Sequence, residues 1–206
     1  MTAPVFAGSV WANEGRVVVG GSPAGINEGV LSGSSQRIYV SGHSLTGPRV
    51  VGLLDKLAAA AGIDLAWNLQ YLEGSSIRQR RGLAPDAPYR RGVDRWGRPA
   101  DVLGEFSSRP ADGRPIDMFI VTEQHAVLAS IAWEDTIASL RDIDERFIQA
   151  NPGGRTIFFE PWLSIDDKSA PQGWIAYERA AGPVWRCIIA NVNQSLALRG
   201  KSSRLA

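Results

Sequence analysis

A three-layer α/β/α domain with a parallel central sheet is the fold class this sequence predicts. Three observations point to it. Strand-like and helix-like segments alternate from Arg37 onward, the strand-like ones are short and mostly apolar, and the helix-like ones begin or end on recognisable signals. Such alternation implies right-handed crossovers with helices on both faces of one sheet.

Arg37–Val40 opens the series, with alternation and β-branched or aromatic residues that favour a strand. Gly42-His43-Ser44-Leu45 forms the turn after it. Pro48 then starts a helix at its first position, where the missing N–H is harmless. Val50, Val51, Leu54, Leu57, Ala58 and Ala61 follow at helical spacing, and Gly62 ends the helix. Leu65–Leu72 is the second strand, closed by Gly74. Ile116–Val121 is the third, apolar enough to be buried on both faces. Val127–Gln149 reads as one long helix, stopped by Asn151-Pro152-Gly153-Gly154. Thr156–Phe159 is the fourth strand. Gly173–Leu198 is a terminal helical region with a break expected at Gly182-Pro183.

Two regions stand apart. Residues 1–36 are rich in Gly, Ser and Ala and read as an extension packed on the domain of residues 37–206. Their GGSPAGINEG stretch lacks the lysine of a phosphate loop and reads as turn and linker. Ser75–Arg114 carries seven arginines from Arg78 to Arg98 among Pro, Gly and Asp. It reads as a long surface excursion with at most short helices.

The bulk properties narrow the function classes. The chain has 206 residues, 44% hydrophobic and 21% charged, enough for one domain with a proper core. A net charge of +1 supplies no field to recruit nucleic acid. No segment is apolar for long enough to span a bilayer, and the N-terminus MTAPVFAGSVWANEG lacks the features of a signal peptide. Cys187 is the single cysteine, and its apolar run Val184–Ile189 suggests a buried thiol. No His/Cys/Asp cluster has metal-ligand spacing, so no metal or other cofactor is expected.

In such a sheet, ligands bind at the carboxyl ends of the strands. Four loops meet there: Gly42–Leu45, Glu73–Ser76, Thr122–Val127 and Glu160–Lys168. Ser44 follows a Gly-His pair and precedes a helix, so its hydroxyl is a candidate nucleophile and its N–H a candidate oxyanion donor. Most G-x-S serines are helix caps, and Ser44 or Thr46 suits that role too. Of the two histidines, His43 adjoins Ser44 and points elsewhere on the turn. His125, just after the third strand, is the candidate base, with a satisfied loop histidine as the equal alternative.

Taken in order, these residues resemble the SGNH/GDSL hydrolase superfamily, and more closely a bacterial subgroup whose first block reads GHSL. The matching features are Gly42-His43-Ser44-Leu45, Gly74 after the second strand, Thr122-Glu123 after the third, Glu160-Pro161-Trp162 after the fourth, and Trp174 and Trp185 in the tail helix. The resemblance covers Arg37 to about Leu198 and implies a flavodoxin-like parallel sheet of the SGNH hydrolase type. It implies a serine esterase acting on a small acyl ester. Ser44 is then the nucleophile, and Ser44, Gly74 and Gln124 form the oxyanion hole. The late-block histidine of the subgroup is replaced by Leu163, and no histidine follows residue 125.

Two outcomes follow from that departure. His125 has taken over as base, oriented by Glu123, Asp166 or Asp167, or the domain has lost catalysis and binds a carbohydrate or protein. Exposed tryptophans would suit a carbohydrate O-acetyl ester, with Trp96, Trp162 and Arg78 as substrate-binding candidates, although core packing accounts for most tryptophans. Members of the superfamily are often exported, which makes a secreted or periplasmic location an expectation from the resemblance alone. The expected partner is a small-molecule or carbohydrate ester, with no nucleic acid and no membrane span, and oligomeric state stays open.

Overall fold

The computed structural model describes residues 35–82, 91–101, 104–107 and 114–206, all within the compact unit Gly33–Ala206. The expected extension therefore lies, up to residue 34, outside the described residues. The chain forms a six-stranded sheet of order β4-β3-β2-β1-β5-β6. Its strands are β1 Ser35–Gly42, β2 Asp64–Tyr71, β3 Arg91–Asp94, β4 Pro99–Asp101, β5 Met118–Val121 and β6 Arg155–Phe158. Four adjoining strands, β2, β1, β5 and β6, are parallel, whereas β3 and β4 are antiparallel additions. This is the mixed α/β architecture the sequence predicts, with helices flanking a mostly parallel sheet.

β1 lies at the centre because Ile38, Tyr39 and Val40 offer apolar side chains to both faces, and all three are buried. Helix α1, Pro48–Ala60, carries the crossover from β1 to β2. It ends in a Schellman arrangement: Gly62 takes φ +74°, and the Ile63 N–H donates to Ala58 O at 2.9 Å. From β5 the chain moves the other way, through α4 Val127–Trp133 and α5 Thr136–Ala150 to β6, then into α6 Gln172–Ala197. Opposite directions of travel with right-handed crossovers place α1 and α5 on opposite faces. On the α5 face, Tyr39, Phe106, Phe119 and Phe147 form a nest of tilted and edge-on rings. Trp185, Ile188, Val192 and Leu196 of α6 join the same buried cluster.

Four expectations need correction. Val127–Gln149 is two helices, not one. Asp135 adopts the left-handed conformation (φ 51°, ψ 42°) between them and stands at the N-cap of α5. The hydrophobic period runs through the break, which hides it, while Asp135-Thr136 was a start signal inside it. Conversely, α6 runs unbroken past Gly182-Pro183, because Pro183 sits on the exposed side, where the carbonyl it leaves unpaired can face water. Cys187 is exposed, not buried. Its apolar run is helical, so Trp185 and Ile188 face the core while Cys187 turns outward.

The fourth correction concerns Ser75–Arg114. It contains α2 Ile77–Arg80, the β3–β4 hairpin and α3 Gly104–Ser107, and it sends Ile77, Arg80 and Phe106 into the interior. Ser76 and Gln79 form a complete capping box for α2, the S-x-x-Q spacing being visible in the sequence. At the far edge, Leu205 bridges Thr156 of β6, the Phe158 N–H donates to Ala206 O, and the Ala206 N–H donates to Thr156 O. Among the described residues, no helix is long and apolar enough to cross a membrane.

Candidate functional site

The strand order makes the loops after β2, β1 and β5 neighbours at one edge of the sheet. Tyr71 pairs with Gly42 and Ser41 pairs with Val121, so the three strands end nearly level. Gly42 is required at that level because Thr46 folds back over it in the short 3-10 helix Ser44–Thr46. His43 caps this turn. Its Nδ1 accepts from the Leu45 N–H at 3.5 Å, which leaves Nε2 to donate to Glu123 O at 2.6 Å. The His43 ring is fully buried, and burial, assisted by the positive Arg80, lowers its pKa from 6.5 to about 4.

That depression predicts a pH-dependent stability. The folded state holds His43 neutral while the unfolded chain takes up a proton, so stability is intact above pH 6.5. It falls as pH drops through the window from 6.5 to about 4. The full effect is about 3 kcal/mol. Buried Glu123 and Asp144, whose pKa values burial raises, oppose the trend. Urea unfolding of wild type and His43→Gln at pH 7 and pH 4.5 isolates the histidine: the wild type should lose the more stability on acidification. Equal losses would remove the buried neutral imidazole as the cause.

Ser44 is exposed at the tip of the turn. Among the described residues, neither its N–H nor that of Gly74 has a hydrogen-bond partner. Gly74 holds φ +66°, and its carbonyl accepts the Gln124 side-chain amide at 3.0 Å. One N–H of Gln124 stays available, so the three expected oxyanion donors come from three adjoining loops. His125 stacks on His43 with ring centroids 4.7 Å apart and planes 27° from parallel. The base candidate thus lies against the neighbour of Ser44, but no hydrogen bond joins its ring to the Ser44 hydroxyl. Tyr177 of α6 donates to His125 O at 3.3 Å and receives the Val127 N–H at 2.9 Å, anchoring this loop.

The candidate orienting acids do not orient His125. The Glu123 carboxylate is fully buried and turned inward, accepting the N–H groups of Ile77 (3.1 Å) and Gln124 (2.8 Å) on Oε1, with Thr136 Oγ1 2.9 Å from Oε2. Asp167 is exposed and spends its carboxylate on the Ser169 N–H and hydroxyl. Asp166 is exposed in the same loop.

The substrate-binding candidates divide. Trp162 lies in the loop after β6, half-exposed and edge-on to Phe159. Arg78 is exposed and donates to Trp133 O at 3.0 Å. Trp96 is at the wrong end of the sheet. Because β3 runs antiparallel to β2, its hairpin turn returns to the start of β2, where Arg95 binds Asp64 Oδ1 and Leu65 O at 3.0 Å. Trp96 is exposed there, with the guanidinium groups of Arg95 and Arg98 over its ring. Leu163 is tied by its backbone to Glu178 and Trp174 of α6.

Beneath these loops lies a polar network built on Arg80, which the sequence pattern does not single out from the other arginines. Arg80 is fully buried and donates to Ser41 Oγ (3.1 Å), Ser75 O (2.6 Å), Ser75 Oγ (2.8 Å) and Thr122 O. Burial lowers its pKa to about 10, which leaves it charged at neutral pH, with Glu123 the opposing charge. Gln70 completes the network, accepting from the Ser41 hydroxyl at 2.6 Å and donating to Arg80 O at 2.8 Å. Among the described residues, no group of His, Cys, Asp and Glu side chains is arranged to hold a metal ion.

No family model matches this sequence, and no curated protein matches it. Among solved structures, the chain is similar to a DUF4886 family protein from Bacteroides uniformis ATCC 8492, solved at 1.50 Å, with 15% identity and a TM-score of 0.49. The match covers 82% of this chain and 65% of that one, so the chain spans less than two thirds of that protein's length.

Proposed function

We propose that this protein is a serine ester hydrolase of SGNH type, with Ser44 as nucleophile and His125 as base. What supports the reading is that Ser44, Gly74 and Gln124 lie in loops after neighbouring strands, with the Gln124 amide on Gly74 O and with the N–H groups of Ser44 and Gly74 unpartnered among the described residues. Unpaired backbone donors beside an exposed hydroxyl suit a developing oxyanion. In the first step, Ser44 Oγ bonds to the acyl carbon, its proton passes to His125, and the carbonyl oxygen takes the negative charge. His125 then protonates the leaving alcohol as the ester bond breaks, and water repeats the sequence to release the acid. Substrates with a small acyl group suit an open edge, and Trp162 offers a ring to the alcohol part, as in a carbohydrate O-acetyl ester.

Two observations favour the second reading, a domain that binds a carbohydrate or protein without cleaving it: Ser44 and His125 share no hydrogen bond, and Leu163 replaces the subgroup's base. The first of these is the weaker, since catalytic hydrogen bonds are often loose without substrate. Hydrolysis of p-nitrophenyl acetate by wild type, Ser44→Ala and His125→Ala separates the two readings. Ser44→Ala should lower kcat by about a thousandfold and His125→Ala by about a hundredfold. Equal rates in all three would leave the binding reading standing.

A further inference from the structure

We propose that Arg80 is the positioning residue of this site, the clamp that holds the oxyanion donors at working distance. The inference rests on the ester-hydrolase reading and adds a residue that touches no substrate. Each loop that supplies a donor is fastened to this one guanidinium. Ser41, whose Oγ receives Nε, lies three residues before Ser44 at the end of β1. Ser75, whose carbonyl and hydroxyl both receive Nη1, directly follows Gly74. Thr122, whose carbonyl receives Nη2, lies two residues before Gln124.

The chemistry of the arrangement is selective. A planar guanidinium fixes the directions of its N–H groups, so its acceptors keep their mutual positions. Lysine, a flexible point charge with three donors, cannot serve all four acceptor atoms in these directions. Gln70 holds Arg80 from behind through its main-chain carbonyl, and the Ser41 hydroxyl couples the two. Every partner is buried or part-buried, so water cannot readily replace the clamp. Buried Glu123 supplies the opposing charge, but its carboxylate takes its hydrogen bonds from Ile77, Gln124 and Thr136, so the guanidinium's own hydrogen bonds go to the three loops. An apolar side chain of equal volume would fill the space, but it would leave the three loops unfastened to each other.

The experiment measures kcat and KM for p-nitrophenyl acetate in wild type, Ser44→Ala, Arg80→Gln, Arg80→Lys and Ser41→Ala, each checked for folding by circular dichroism. A shift of the donors by about 1 Å should lower kcat by about a hundredfold in Arg80→Gln, with KM within about threefold of wild type. Arg80→Lys should recover part of the loss. Ser41→Ala, which removes one acceptor and keeps the cation, should lower kcat by about fivefold with KM unchanged. If Arg80→Gln does not fold, Arg80→Lys and Ser41→Ala decide: both at wild-type kcat overturns the clamp. A folded Arg80→Gln with wild-type kcat overturns it as well, while Ser44→Ala remains inactive and the hydrolase reading survives. If Ser44→Ala matches wild type, the hydrolase reading falls and the clamp's role falls with it.

Discussion

Gly42→Ala is expected to destabilise the protein by about 3 kcal/mol, more than a surface Gly→Ala change ever costs. A methyl group at this position would lie 1.7 Å from Thr46 Oγ1, 2.9 Å from Thr122 Cγ2 and 3.0 Å from Thr46 Cβ. Rotating the Thr46 side chain relieves the first contact only. The others involve a carbon fixed to the 3-10 turn and a methyl on the adjoining strand end, so the turn itself must move. Urea unfolding should give a lower midpoint with an unchanged slope. Gly42→Ala/Thr46→Gly should recover about half of the loss, because two of the three close contacts disappear. An unchanged midpoint in the single variant would show that the turn yields easily, and close approach would then not be the reason for glycine.

Glu123→Ala should cost about 3–5 kcal/mol, since it leaves a buried cation without its opposing charge and buried donors without an acceptor. The donors are the N–H groups of Ile77 and Gln124, and the cation is Arg80. The variant separates charge from packing when combined with Arg80→Met. If charge compensation dominates, the double variant loses less than the sum of the singles. Strict additivity in urea unfolding would assign the loss to the hydrogen bonds alone. Glu123→Gln is the milder change. It keeps one acceptor oxygen for Ile77 and Gln124 and turns an N–H₂ group toward Thr136.

The fold and one side of the site were legible in the sequence, and the reasons are local. Ile38-Tyr39-Val40 cannot be satisfied except in a strand buried on both faces, and Pro48 with Gly62 brackets α1 by backbone conformation alone. The placement of Ser44, Gly74, Gln124 and His125 at one edge followed from strand order. What stayed hidden depends on long-range geometry. The antiparallel register of β3 carries Trp96 away from the loops, and nothing near residue 96 encodes that register. Arg80 and Arg81 are neighbours of one type, yet one is fully buried and the other binds the part-exposed Asp142. Only the position of α2 against β1 and α5 decides between them. Glu123 was noticed, but its carboxylate answers to backbone donors 46 residues away at Ile77 rather than to the adjacent histidine.

The pairing of Leu205 and Ala206 with β6 has a consequence for self-association. A parallel sheet rich in β-branched and aromatic residues offers, at each rim, a row of unsatisfied amides to which another chain can add. Here both rims are blunted. On one side stands β4, three residues long and containing Pro99, which has no N–H to donate. On the other, the two tail residues occupy the Thr156 and Phe158 positions of β6. Peeling that tail away would uncover the edge of β6, Arg155–Phe158, as a template for fibril growth. Deleting residues 204–206 should therefore raise thioflavin-T-positive aggregation before it disturbs the loops around Ser44.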